Sequence, residues 1–102
     1  MPKGANMTTR TRFTTEEAQL LGSMIGVRWE KSAFDVEQFR QGLEVELEHG
    51  RRDPATNVTD DDPILTSKIA LAHLRELPDY YTRLALMEAE GEHELRTTGV
   101  PG

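Results

Sequence analysis

Apolar residues recur at three- and four-residue intervals in four stretches of this chain, with polar, turn-forming segments between them. That is the period of a helix with one buried face. The first stretch opens on Thr14-Thr15-Glu16-Glu17, a capping box in which the Thr14 hydroxyl and the Glu17 carboxylate take up otherwise unpaired amides. Phe13 precedes the cap and is placed to staple onto Ala18. Ala18, Leu21, Met24 and Ile25 then share a face, and Gly26 stands where a C-terminal cap belongs. Gly22, inside this helix, implies either a cost of about 1 kcal/mol or a close approach by another element.

Residues 27–34 connect to the second helix, and Trp29 and Phe34 are expected to plug the end of a helix layer. Asp35 is a good N-cap, and the helix is predicted from there to about His49. Val36, Phe39, Leu43, Leu47 and Gly50 form its apolar stripe, with Gly42, Glu46 and His49 on the flank. Gly50 is read as the terminator, with Arg51 and Arg52 well placed near the negative end. Residues 51–62 are a 12-residue polar loop, long for a helix connection and therefore expected to be functional or self-packed.

Asp62-Pro63 is a strong start signal, a capping carboxylate followed by Pro at the first helical position. The third helix is predicted from Pro63 to about Glu76. Its apolar residues wrap most of the circumference and leave only Lys68 and Arg75 as a clear wet strip. Such a helix is expected to be central, or to hold one face against a second chain. Pro78 breaks it at Leu77. A fourth helix restarts with Tyr80, Tyr81, Leu84, Ala85, Met87 and Glu88 and is expected to end near Gly91. No stretch alternates like a strand. The prediction is an all-α fold, a small bundle of about four short helices. It comprises a disordered basic leader (1–12), a helical domain (13–91) and a disordered tail (92–102), with Met7 an alternative start.

Composition narrows the function. The 102 residues carry 12 Lys+Arg against 18 Asp+Glu, a net charge of −6. An acidic balance argues against a general nucleic-acid binder. The absence of cysteine excludes disulfides, a thiolate nucleophile and Cys-ligated metal. No apolar run reaches the ~20 residues that span a bilayer, and the N-terminus has no apolar signal-peptide core. A cytoplasmic location is expected.

The segments FRQGLEVELEHG (39–50), TNVTDDDPILTSKIALAHLRELPDYYTRL (56–84) and the following MEAE resemble a family of short bacterial and phage-borne proteins catalogued as a domain of unknown function. The resemblance covers about residues 13–90, and ELEHG, TNVTDDDP, KIALAHL and PDYY are specific as a set. It implies a compact helical domain in a bacterial or phage context and carries no activity.

Two pairs carry candidate chemistry. Glu46-x-x-His49 and His73-x-x-Glu76 each put an imidazole and a carboxylate one turn apart on the same helix face. Such pairs ligate iron, manganese or zinc in carboxylate-bridged bundles, and Glu88 could add a carboxylate. Against this, the second pair has reversed order. His49 and His73 also stand ~15 Å apart along the axis of a simple hairpin. Absent metal, His73 and Glu76 are expected to hydrogen-bond inside the bundle while Glu46 and His49 fix the loop, and no cofactor is expected.

The acidic loop does not fit a calcium hand, since Val58 and Ile64 fall where Gly and Glu are needed. Asn and Asp there are expected to build local turns. No nucleophile elbow, P-loop or dinucleotide fingerprint occurs. The leading expectation is a non-enzymatic interaction module, self-associating or bound to a protein partner, with Leu71, Leu74, Tyr80 and Tyr81 as interface candidates. A metal-binding bundle and an acidic, phage-type inhibitor or regulator are the alternatives.

Overall fold

A computed structural model describes residues 12–98. The expected leader, apart from Arg12, lies outside the described residues, as do residues 99–102. Four α-helices follow one another: α1 (Thr15–Met24), α2 (Val36–Arg52), α3 (Pro63–Glu76) and α4 (Tyr80–Thr98). Single 3-10 turns lie at Trp29–Lys31 and Pro54–Thr56, and no strand occurs among the described residues. The fold is a small all-α bundle.

The helix starts follow the capping chemistry. Thr14 and Glu17 form the reciprocal box, with Glu17 N–H donating to Thr14 Oγ1 at 3.1 Å and Thr14 N–H to Glu17 Oε1 at 2.9 Å. Asp35 accepts from Gln38 N–H at 2.9 Å, and Asp62 accepts from Ile64 N–H at 2.8 Å with Pro63 at the first position. Gly26 follows the end of α1 with φ +101°, a conformation that disfavours any side chain.

Two helix ends differ from expectation. α2 continues through Gly50 to Arg52. Gly50 is there for a different reason: a β-carbon on it would stand 2.9 Å from Asn57 Oδ1, so the returning loop needs that space. α4 continues through Gly91 to Thr98. Gly91 keeps negative φ, and strong helix formers on both sides carry the helix across it.

The hub of the bundle is α2, which packs against all three other helices and most extensively against α3. The third helix, expected to be central or to hold one face against a second chain, also packs against all three others, and it leaves Leu65, Ala72 and Glu76 exposed beside the expected wet positions Lys68 and Arg75. Ala18, Phe39, Leu43, Ala70, Leu71, Leu74 and Tyr81 form the core. Trp29 closes one end of it, edge-on to Phe34 and Phe39 with centroids at 5.8 and 5.6 Å. Its indole N–H donates to the Gln19 carbonyl at 2.9 Å, and its ring lies where a β-carbon on Gly22 would collide. The close approach at Gly22 is therefore by a side chain. Thr66 and Ser67 are fully buried because their hydroxyls bond back to the Asp62 and Pro63 carbonyls, at 2.7 and 2.6 Å.

Gly42 adjoins Tyr81, and His49 adjoins Glu88, so α2 and α4 run in the same direction. With that register the last turns of α4 pass the end of α2 by ~10 Å. The radius of gyration, 15.4 Å, exceeds the ~13 Å of a compact 100-residue domain, as a projecting helix requires.

Candidate functional site

Three polar groups from three different helices meet beside the core. Tyr81 of α4 donates its phenol proton to Glu46 Oε2 of α2 at 2.7 Å. The Nδ1 atom of His73, on α3, lies 2.9 Å from the Tyr81 oxygen and 3.0 Å from the same Glu46 oxygen. The phenol has one proton and Glu46 accepts it. Nδ1 must therefore bring its own proton, because a bare nitrogen lone pair facing a carboxylate oxygen would be repelled. Two protons hold the triangle together. Burial, then the hydrogen bond and charge of Glu46, push the Tyr81 phenol far above its ordinary value, so it remains a donor.

Local sequence explains the convergence. Pro78 ends α3 just after His73, and α4 restarts at Tyr80, which folds both tyrosines back beside the imidazole. Tyr80 stacks on His73 with centroids 4.3 Å apart and planes 13° from parallel. Tyr81 meets the same ring edge-on at 5.9 Å. Gly42, one turn before Glu46, leaves room for the Tyr81 ring: a β-carbon there would stand 2.5 Å from Cε2.

Of the four predicted metal-ligand candidates, the structure brings together Glu46 and His73. His49 turns instead to Glu88 of α4, its Nε2 3.9 Å from the carboxylate and both side chains about half exposed. Glu76 is exposed and is not part of the triangle; the expected hydrogen bonding of His73 and Glu76 inside the bundle is replaced by the bond to Glu46. The register supplies the reason. His49 is too near the loop end of α2 to reach His73, whereas Glu46 is one turn deeper.

The four interface candidates sit differently. Leu74 is 1% exposed, Tyr81 2% and Leu71 9%, so most of their apolar surface packs within the chain. Tyr80 is half-buried on His73. Neither Tyr81 as the link between Glu46 and His73 nor Gly42 beneath it was anticipated from sequence. A glycine inside a good helix, on the flank that carries Glu46, was the available signal.

The loop between α2 and α3 is self-packed. Asn57 Nδ2 donates to Asp61 Oδ1 at 2.8 Å, and the Thr66 hydroxyl reaches Thr59 at 3.2 Å. Asp60 and Asp61 hold φ of 53° and 65°, a left-handed pair that Asp tolerates better than most residues. Arg51 comes within 3.9 Å of Asp61.

The described helices include none long and apolar enough to cross a membrane. A helical bundle with a partly buried acid–phenol–imidazole triangle and a projecting last helix is the class that the geometry defines. The chain belongs to the family described as Protein of unknown function (DUF5661), which it matches over residues 18–90. No curated protein and no solved structure matches it.

Proposed function

We propose that the chain, of the bacterial or phage context its motifs suggest, is a non-enzymatic helical interaction module that pairs with a second copy of itself. The observation that carries this reading is the outer face of α4. Leu86 and Met87 are 62% and 59% exposed there. They stand between Arg83 and Glu90 in an i, i+3, i+4, i+7 pattern, the spacing of one continuous helix face. Both flanking charges are exposed, although Arg83 also holds Asp79 at 2.8 Å on its own helix.

That face is complementary to itself in one orientation. Antiparallel pairing about a twofold axis between residues 86 and 87 packs Leu86 on the partner's Met87, twice. It also sets Arg83 against the partner's Glu90, twice, as an isologous contact requires. Parallel pairing would place like charges together. All four positions of the face are exposed, which leaves it accessible. At this chain length a single core is marginal, so burial of a further apolar face adds stability through association.

Charge exchange tests the orientation. Arg83→Glu is expected to weaken the dimer, and Arg83→Glu combined with Glu90→Arg to restore it, both read by sedimentation velocity at low salt. A dimer indifferent to both variants would place the contact elsewhere.

A further inference from the structure

We infer that Glu46, His73 and Tyr81 form one face of a binding site for a first-row transition-metal ion. This does not depend on self-association. The inference stands on the separations of the three donor atoms, which are 2.7, 2.9 and 3.0 Å around the triangle. In an octahedral shell, donors bound at right angles, each about 2.0–2.1 Å from one ion, lie about 2.8–3.0 Å from each other. The triangle therefore has the edge lengths of one face of an octahedral coordination shell.

The donor set also fits. An imidazole nitrogen, a carboxylate oxygen and a phenolate oxygen suit iron, manganese or zinc. The three come from three helices, so the backbone holds the atoms converged before an ion arrives. Tyr80 stacked on His73 fixes the ring, and the space at Gly42 fixes Tyr81. The cluster is not sealed: the His73 side chain is 31% exposed and that of Glu46 13%.

Binding exchanges protons for the cation. The phenol O–H bond breaks, its proton goes to solvent, and the phenolate oxygen bonds the ion. The Nδ1 proton is lost while Nε2 takes one up, so the ring stays neutral and Nδ1 presents its lone pair. One proton is released per ion. A bound cation inverts the local preference that keeps Tyr81 protonated. The metal electron count is unchanged, so no oxidant or reductant enters.

The ligands differ from the Glu/His pairs that helical spacing alone suggests. His49 and Glu88 face each other one turn further along α2 and are not required. Glu76 lies outside.

Manganese(II) is the informative first probe, because it accepts octahedral geometry and has no strong absorption of its own to mask tyrosinate. The full-length protein is titrated with manganese(II) chloride, and zinc(II) and iron(II) are run in parallel by native mass spectrometry. The expected result is one ion per chain, one proton released and a tyrosinate difference spectrum. Tyr81→Phe, which keeps the ring packing, should remove the tyrosinate signal and weaken binding by at least about tenfold. Glu46→Gln and His73→Ala should weaken it similarly. Glu76→Ala should leave it unchanged, with helicity followed throughout by circular dichroism. No binding of any of the three ions would overturn the proposal. So would binding that survives Tyr81→Phe but is lost in Glu76→Ala or His49→Ala.

Discussion

Gly42 and Tyr81 are packed so closely that a β-carbon on the glycine would meet Cε2 of the ring at 2.5 Å and two further ring atoms at 3.0 Å. Tyr81 is 2% exposed. This one contact sets the spacing of α2 and α4 and thereby brings the phenol to Glu46.

Gly42→Ala should therefore destabilise the fold, despite alanine's better helix propensity. Overpacking of this kind costs about 1–3 kcal/mol, against a propensity gain of about 1 kcal/mol. Urea unfolding measures the balance. A Gly42→Ala protein more stable than wild type would show that the ring has room to retreat.

The Tyr81–Glu46 bond is a hydrogen bond to a charged acceptor in a mostly buried setting. Such bonds contribute roughly 1.5–3 kcal/mol. Tyr81→Phe should lower stability by an amount in that range, while Tyr80→Phe should cost less, since Tyr80 is held by stacking on His73. A double-mutant cycle with Glu46→Gln isolates the coupling. Coupling indistinguishable from zero would mean that the pair meets without mutual stabilisation.

Leu74 and Leu86 separate core from surface. Leu74→Glu buries a carboxylate among Phe39, Leu43 and Tyr81 and should abolish cooperative unfolding near neutral pH. Leu86→Glu lies on an exposed face of α4 and, measured at dilution where no dimer forms, should change stability by less than about 0.5 kcal/mol, with full helicity in circular dichroism. Equal loss of helicity in both would show that Leu86 belongs to the fold.

At Gly26 the constraint is the backbone and no longer a neighbour. Its φ is +101° and nothing lies within 4 Å of an added β-carbon. Gly26→Ala should cost about 1 kcal/mol or more through strain at the end of α1, seen as a lower thermal midpoint. A neutral outcome would mean that the turn re-forms with negative φ.

Local rules made much of the fold legible. The capping box at Thr14, the caps at Asp35 and Asp62, and the break at Pro78 each rest on short-range chemistry, and the helix starts follow from them. Glycines were harder to read, because the same residue ends a helix or admits a neighbour. Gly50 and Gly91 look like terminators, yet one accommodates Asn57 and the other is crossed by the helix. The site was legible as residues and not as a grouping. Glu46 and His73 stood out as acid–imidazole candidates, each paired by spacing with a residue on its own helix. Their meeting depends on the packing of α2 against α3, which spacing within either helix does not encode. Tyr81 joins them only because α4 restarts so soon after α3. The apolar wrap of α3 suggested an interface at Leu71 and Leu74; both pack into the core, and exposed apolar residues are found on α4 (Leu86, Met87, Leu95) as well as on α1 (Leu20, Met24) and α3 (Leu65).

The most direct measurement is sedimentation velocity of the untagged full-length chain over a wide concentration range, alongside Leu86→Glu. A wild-type dimer whose fraction rises with concentration, replaced by a fully helical monomer in Leu86→Glu, is the expected result. A wild-type monomer at every concentration, or a Leu86→Glu dimer as tight as wild type, would contradict pairing through α4.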